Sequence, residues 1–419
     1  MRRFRWCVVL LAVGFAATSG PVTDSHTPIA SRWNYKEHLF PVFRDNCGAC
    51  HRTDGIAPMS LMTYREAFPW SQSIREEVLG LRMPPWKAED GFGNFRNGHS
   101  LPAHEMDMIL EWSSGGYPQG PRNLELPTVA GPEGWQLGAP ALALEMAEPF
   151  VLDAGTSEAV RYFVLPTGTA DALAIAGVDV LPEAGAVVRG AMVYFDAEGI
   201  ARELDEADDG PGFATPDAGV FPTTPPVAVW SPGQAPVLQQ GVARTLPAGA
   251  DLVLRMHYKK TWITEGQEFR DRTAVGLYAG GGEMAGIESL VAVSPATLDG
   301  QEASFTYTLD EDVRILALLP EVDIEASDVR VLATTPDGTE IPMLFLREPS
   351  AAWPTRYWFD EPIEAPRGTA LTVAAVLPPA AEHTPSVSLL GIESAPPIRL
   401  LVDYTPTGAY TPTGAPAGD

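Results

Sequence analysis

The sequence predicts a multidomain chain: a small all-α domain over residues 30–125, then two all-β sandwiches over residues 135–285 and 286–405. Three observations predict it. Helix caps and helical periodicity are confined to the first part of the chain. Beyond residue 135, short apolar and β-branched runs alternate with turn residues, and no helix pattern intervenes. The 419 residues include 39 glycines and 40 prolines, which favours many turns and short strands, while a hydrophobic fraction of 45% is enough for real cores.

Residues 1–20 read as a secretory signal peptide. Arg2, Arg3 and Arg5 precede an apolar run over residues 6–17, too short to span a bilayer, and small residues lead to Gly20. Cys7 lies inside this leader. Once it is removed, no membrane span is expected, and the mature chain keeps Cys47 and Cys50 alone.

These two cysteines belong to Cys47-Gly48-Ala49-Cys50-His51, a C-x-x-C-H motif. The spacing suits covalent attachment of a haem: each thiolate forms a thioether with one vinyl group, and the adjacent histidine reaches the iron. A zinc site needs four Cys or His ligands, and no second cysteine pair exists. A thioredoxin-like dithiol lacks its βαβ context here. Haem c is therefore the expected cofactor, with Cys47 and Cys50 as anchors and His51 as proximal ligand. Covalent haem attachment in bacteria is extracytoplasmic, so motif and leader agree on an exported, periplasmic protein.

Around the motif, residues 41–46 read as a short helix with Pro41 at its first position, where a missing N–H costs nothing. Thr63-Tyr64-Arg65-Glu66 is a capping box. It opens a predicted helix running to about Leu81, with Phe68, Ile74, Val78 and Leu81 as candidate buried positions. A further helix follows Pro102, carries Met106, Ile109, Leu110 and Ser113 on one face, and stops at Gly115 and Gly116. Met83 is the expected sixth iron ligand. It lies 32 residues after His51 in Arg82-Met83-Pro84-Pro85-Trp86, where two prolines exclude helix and stiffen the loop. Met59 and Met62 follow His51 too closely to reach the opposite haem face, and Met106 and Met108 sit in a helix pattern. His99 and His104 are the histidine alternatives.

Residues 121–134 form a Pro/Gly-containing linker. Beyond it, strand-like runs occupy residues 162–165, 187–195, 252–258, 275–278, 313–319 and 371–376. The tail at 406–419 repeats TPTGA and reads as disordered.

The segments CGACHRTDGIAPMSL and AFPWSQSIREEVLGLRMPPW resemble the cytochrome c module found at the N-terminus of bacterial proteins related to copper type II, ascorbate-dependent monooxygenases. The segments RYFVLPTG, VVRGAMVYF, ARELDEADDGPG, WSPGQAP and TLPAGADLVLRMHYKK resemble the tandem, jelly-roll-like catalytic region of the same family, whose best-known relatives hydroxylate peptidylglycines. The resemblance implies Met83 as axial ligand. It also implies two copper sites built from five histidines and one methionine, one of which binds oxygen and hydroxylates a C–H bond. This chain departs from that pattern. The paired histidines are Arg189 and Gly190; one strand histidine remains as His257, a vestigial copper position; and the second-domain HxH is Glu321-Val322-Asp323. Residues 126–419 contain only His257 and His383, and two histidines cannot supply five copper ligands. Copper is not expected.

Formal net charge is −26. Residues 21–125 carry 10 basic and 13 acidic groups, and residues 126–419 carry 15 and 41. This excludes nucleic acid and anionic membrane surfaces as partners; the acidity reads first as a solubilising surface, with steering of a basic redox partner or a cation as the alternative. The acidic runs Glu321, Asp323, Glu325, Asp328 and Asp205, Glu206, Asp208, Asp209 lack EF-hand spacing and read as solvated loops rather than calcium sites. The leading expectation is an exported one-electron carrier whose copper-free sandwiches act as a docking or binding scaffold. An active copper monooxygenase fed by the haem, or a haem-based sensor, are the alternatives.

Overall fold

The computed structural model describes residues 30–98, 100–216, 220–295, 302–322, 326–349, 353–377 and 397–407. The predicted leader, His99, Asp323, Glu325, His383 and the tail from residue 408 lie outside these. No helix among the described residues is long and apolar enough to cross a membrane.

The small all-α domain predicted for residues 30–125 does not form. The described residues hold nineteen strands against five α-helices of four to twelve residues. The N-terminal part carries α1 (Phe40–Asn46), α2 (Tyr64–Ala67), α3 (Ser71–Leu79) and α4 (Ala103–Ser114), with a π-helical turn at Tyr35–Leu39 and a 3-10 turn at Phe68–Trp70. Most of the remainder is loop. Residues 86–97 are built into the second sandwich: Ala88 bridges Leu346, Phe95 bridges Phe359, and the Glu89 and Arg96 amides donate to the Phe345 and Trp358 carbonyls. The physical reason is aromatic and long-range. Trp86 packs edge-on against Tyr357 with ring centroids 5.1 Å apart, and Phe95 lies 5.2 Å from Phe359. These contacts join residues some 260 positions apart, which local sequence signals do not report.

The predicted helix from Thr63 to Leu81 is also interrupted. Thr63 caps the helix, with the Glu66 amide donating to Thr63 Oγ1 at 3.3 Å, and Thr63 Oγ1 donates to the Glu66 carboxylate at 2.7 Å. Pro69 then lacks the N–H that a continuous helix needs, and the chain tightens into the 3-10 turn. The interruption shifts the buried face. Ile74 and Val78 stay inside, whereas Phe68 is 40% and Leu81 is 42% exposed. A compact aromatic core of Tyr35, Phe40, Phe43 and Trp112 ties α1 to α4, with Tyr35 Oη donating to the Leu61 carbonyl at 2.6 Å.

The first sandwich contains β1 (Leu142–Glu145), β2 (Phe150–Leu152), β3 (Glu158–Pro166), β4 (Leu173–Leu181), β5 (Val188–Asp196), β6 (Ala228–Trp230), β7 (Val242–Leu246), β8 (Asp251–Lys259), β9 (Phe269–Asp271), β10 (Ala274–Ala279) and β11 (Ala285–Gly286). One sheet has the order β1-β10-β4-β7-β11, the other β3-β8-β5-β6, and β2 pairs with β9. A helix, α5 (Ile200–Ala207), interrupts the strands where none was predicted. Its Ala201 amide is held by Asp196 at 2.7 Å, and Arg202 pairs with Asp251 at 2.7 Å. Alternation serves two cores at once. Along β8, Leu252, Leu254, Met256 and Tyr258 fill the sandwich interior. Val253 points to the other face, into a second cluster with Tyr162, Met192, Tyr194, Phe213 and Phe221.

The second sandwich contains β12 (Glu288–Val293), β13 (Glu302–Thr308), β14 (Val313–Val322), β15 (Asp328–Thr334), β16 (Glu340–Arg347), β17 (Tyr357–Ala365), β18 (Ala370–Val376) and β19 (Ile398–Pro406). Its sheets run β12-β19-β14-β17 and β13-β18-β15-β16. Leu319 and Leu401 of this sandwich meet Val229 of the first. Arg356 reaches across to donate to the Val227 carbonyl at 2.7 Å and the Pro226 carbonyl at 2.5 Å.

Candidate functional site

The Cys-His motif grows directly out of α1. Phe40, Val42 and Phe43 anchor that helix in the aromatic core, and Pro41 occupies its first turn. The last turn continues into the motif: the Cys47 amide donates to the Phe43 carbonyl at 2.9 Å, and the His51 amide donates to the Cys47 carbonyl at 2.8 Å. Cys47, Cys50 and His51 are thereby held on one turn. Both cysteines are free thiols, and both are half-buried.

His51 is fixed from the other side. Its Nδ1 lies 3.1 Å from the Met59 carbonyl oxygen. The carbonyl accepts a hydrogen bond from Nδ1–H, which leaves Nε2 with a lone pair and no hydrogen bond among the described residues. Burial holds the imidazole pKa below its ordinary value, against the opposing pull of the Met59 carbonyl. A neutral imidazole with one nitrogen fixed by a carbonyl is the form that ligates a metal. The loop is held in turn by the Leu61 amide on the His51 carbonyl at 3.0 Å and the Ala57 amide on the Cys50 carbonyl at 3.2 Å.

Burial pushes the Cys47 thiol up to about 12, reinforced by Cys50 and Glu105. It pushes Cys50 up to about 11, against the pull of Arg52 and Arg189. Cys50 is also where the motif meets the first sandwich. Its Sγ lies 3.6 Å from the Pro232 carbonyl oxygen, and a side chain on Gly233 would abut it.

The other predicted residues are placed as follows. Met83 follows α3 and the left-handed Leu81, φ 53°, with its amide on the Glu77 carbonyl at 3.3 Å. It is half-buried. Met59 and Met106, by contrast, pack with Cys47 against the aromatic core. His257 sits on β8 opposite Gly190, and its Nε2 is 2.7 Å from Glu158 Oε1, a carboxylate that Lys259 also grips at 2.9 Å. Burial, partly offset by Glu158, holds the His257 pKa below its ordinary value. Glu321 pairs with the buried Arg399 at 2.5 Å, and Asp208 with Arg161 at 3.0 Å. Among the described residues no three His, Cys, Asp or Glu side chains gather as a metal site.

Sequence reasoning missed Arg52 and Arg189 as neighbours of the motif. The register of β5 against β8 shifts between Val188 and Gly190, so Arg189 is the extra residue of a bulge, and a bulge re-aims its side chain. Also unforeseen was a small cleft of about 70 Å³ between the sandwiches, lined by Val178, Val229, Gln239, Arg356 and Trp358. No residue of the Cys-His motif lines it.

No family model and no curated protein matches the sequence. Among solved structures, the chain is similar over 65% of its length to the major capsid protein P2 of bacteriophage PM2, covering 99% of that chain at 10% identity and a TM-score of 0.26. It is also similar to the infectious bursal disease virus VP2 subviral particle (68% of this chain, 75% of that chain, 10% identity, TM-score 0.15). A Paenibacillus xanthan lyase aligns with 69% of this chain and 28% of its own, at 9% identity and a TM-score of 0.17. Likenesses this distant assign neither family nor function.

Proposed function

We propose that the protein is an exported one-electron carrier with a haem bound covalently through Cys47 and Cys50 and ligated by His51. The observation that supports this best is the state of the donor set. Two free thiols and an imidazole share the turn that follows α1, and the Met59 carbonyl leaves His51 Nε2 open. A haem held there would supply reversible one-electron transfer between its ferric and ferrous states. The protein's own part is to position and to shield. Cys47 and Cys50 tether the group, the Met59 carbonyl orients the imidazole, and the aromatic core behind α1 keeps water from that side. In this reading Met83 would supply a thioether ligand to the iron. The two sandwiches, which hold most of the negative charge, serve as the docking scaffold for a basic redox partner.

The reading is tested by co-expressing the chain with a cytochrome maturation system and recording spectra of wild type and His51→Ala. Wild type should give a low-spin haem c spectrum, and the variant should lose normal ligation. A wild-type protein that is colourless after maturation would refute the proposal.

A further inference from the structure

The Cys50 sulfur faces a turn of the first sandwich to which the electron-carrier reading gives no task. Residues 231–234 follow β6, and the Pro232 carbonyl oxygen lies 3.6 Å from Sγ. A Cβ on Gly233 would stand 3.5 Å from both Sγ and the Ala49 side chain, so the turn fits against the motif at ordinary contact distance. Gly233 takes φ 85°, a left-handed conformation that only glycine adopts readily. The turn closes on itself through the Gln234 amide, which donates to the Ser231 carbonyl at 3.1 Å. What holds it in place is the second sandwich. Gln234 Nε2 donates to Thr355 Oγ1 at 2.8 Å, and the buried Ser231 Oγ donates to the Pro354 carbonyl at 3.4 Å. The same stretch grips the helical part. Asn97 Nδ2 donates to the Arg356 carbonyl at 2.8 Å, and the Trp358 amide donates to Asn97 Oδ1 at 3.2 Å. Residues 354–358 therefore hold the turn and the motif-bearing part against one support.

We infer that the turn of residues 231–234 covers the Cys50 edge of the haem, and that Ser231 and Gln234 are the positioning residues through which the second sandwich holds it there. The inference rests on the haem reading above. A thioether puts a porphyrin substituent one bond from Sγ, so whatever packs on that sulfur lies against the rim of the macrocycle. The ferric haem carries one more positive charge than the ferrous, and excluding water disfavours the more charged form. The Pro232 carbonyl dipole pulls the other way, but a water replacing it would bring its own oxygen to the sulfur, so desolvation decides the sign. The cover therefore raises the reduction potential, and the sandwiches tune the haem as well as docking its partner.

The test is potentiometry on the mature holoprotein, comparing wild type with Ser231→Ala, Gln234→Ala and Thr372→Val. Covalent haem content and hydrogen exchange at the amide of residue 234 are measured on every sample. Both alanine variants should keep their haem, exchange faster at that amide and shift toward the oxidised state. The expected fall in the reduction equilibrium constant is about threefold, which is about 28 mV at about 59 mV per decade for a one-electron couple. Thr372→Val removes a hydrogen bond to Thr306 in the sheet of the second sandwich that does not contain β17, and should keep the wild-type potential. Unchanged potentials in both fully loaded alanine variants would overturn the inference while leaving the haem reading intact. So would unaltered exchange at residue 234, or an equal shift in Thr372→Val, since the effect would then be a general loosening. Wild type without covalent haem would instead remove the reading beneath it.

Discussion

Asp403 of the second sandwich and Arg244 of the first form an ion pair at 2.5 Å, with the carboxylate only 1% exposed. Arg356 Nε approaches the same carboxylate at 3.2 Å, and Ser289 Oγ donates to it at 2.7 Å. This buried cluster, together with Arg356 on the Pro226 and Val227 carbonyls, locks one sandwich to the other.

Replacing Asp403 with Asn should cost about 3–5 kcal/mol in unfolding free energy, because two guanidiniums would stay buried without a counter-charge. Burial alone would push the Asp403 pKa up, but Arg244 and Arg356 outweigh it and hold the carboxyl below its ordinary value. A depressed folded-state pKa gives stability that is present above the unfolded value of about 3.9 and is lost as pH falls below it. Denaturant titrations at pH 7 and pH 3 should therefore show a smaller wild-type-to-variant gap at pH 3. A gap that widens in acid would contradict the account.

The thiols of the folded, haem-free chain should resist alkylation at pH 8, because burial holds both well above an ordinary cysteine. Unfolding in urea should speed iodoacetamide labelling on the order of a hundredfold. Equal rates in both states would show that the thiols are not shielded.

Met83→Ala should leave haem covalently attached but abolish the weak long-wavelength band that a methionine-ligated ferric iron shows, and lower the reduction potential. A variant that keeps the band would assign the axial role elsewhere, with Met59 and Met106 next to be replaced.

His257→Gln should change stability by no more than about 1 kcal/mol, since its partner Glu158 is substantially exposed and keeps Lys259. Haem content and potential should not move. A marked loss of bound metal in the variant would contradict a structural role.

Trp86→Ala should destabilise the chain by about 3 kcal/mol and loosen residues 86–97 from the second sandwich, read as faster hydrogen exchange of the Glu89 and Arg96 amides. Unaltered exchange there would mean that the aromatic contacts do not hold this segment.

Local signals were legible and distant ones were not. The short apolar and β-branched runs at residues 162–165, 187–195 and 252–258 fall on β3, β5 (all but Val187) and β8, because strand preference is written in neighbouring residues. The Thr63 cap and the stop at Gly115 were legible for the same reason. The separate all-α domain was wrong because Trp86 and Phe95 take their partners from Tyr357 and Phe359, and nothing near residue 90 announces them. Within the site, the thiols and His51 stand out as a motif. The Met59 carbonyl, the bulge at Arg189 and the seat of Cys50 on Pro232 are backbone features without sequence marks.

The most direct test of the central claim is the intact mass of the mature protein after expression with haem maturation, beside Cys47→Ser/Cys50→Ser. The account predicts one haem added to the wild-type polypeptide, surviving denaturation and acid extraction, and none added to the double variant. A wild-type mass equal to the bare polypeptide would contradict it.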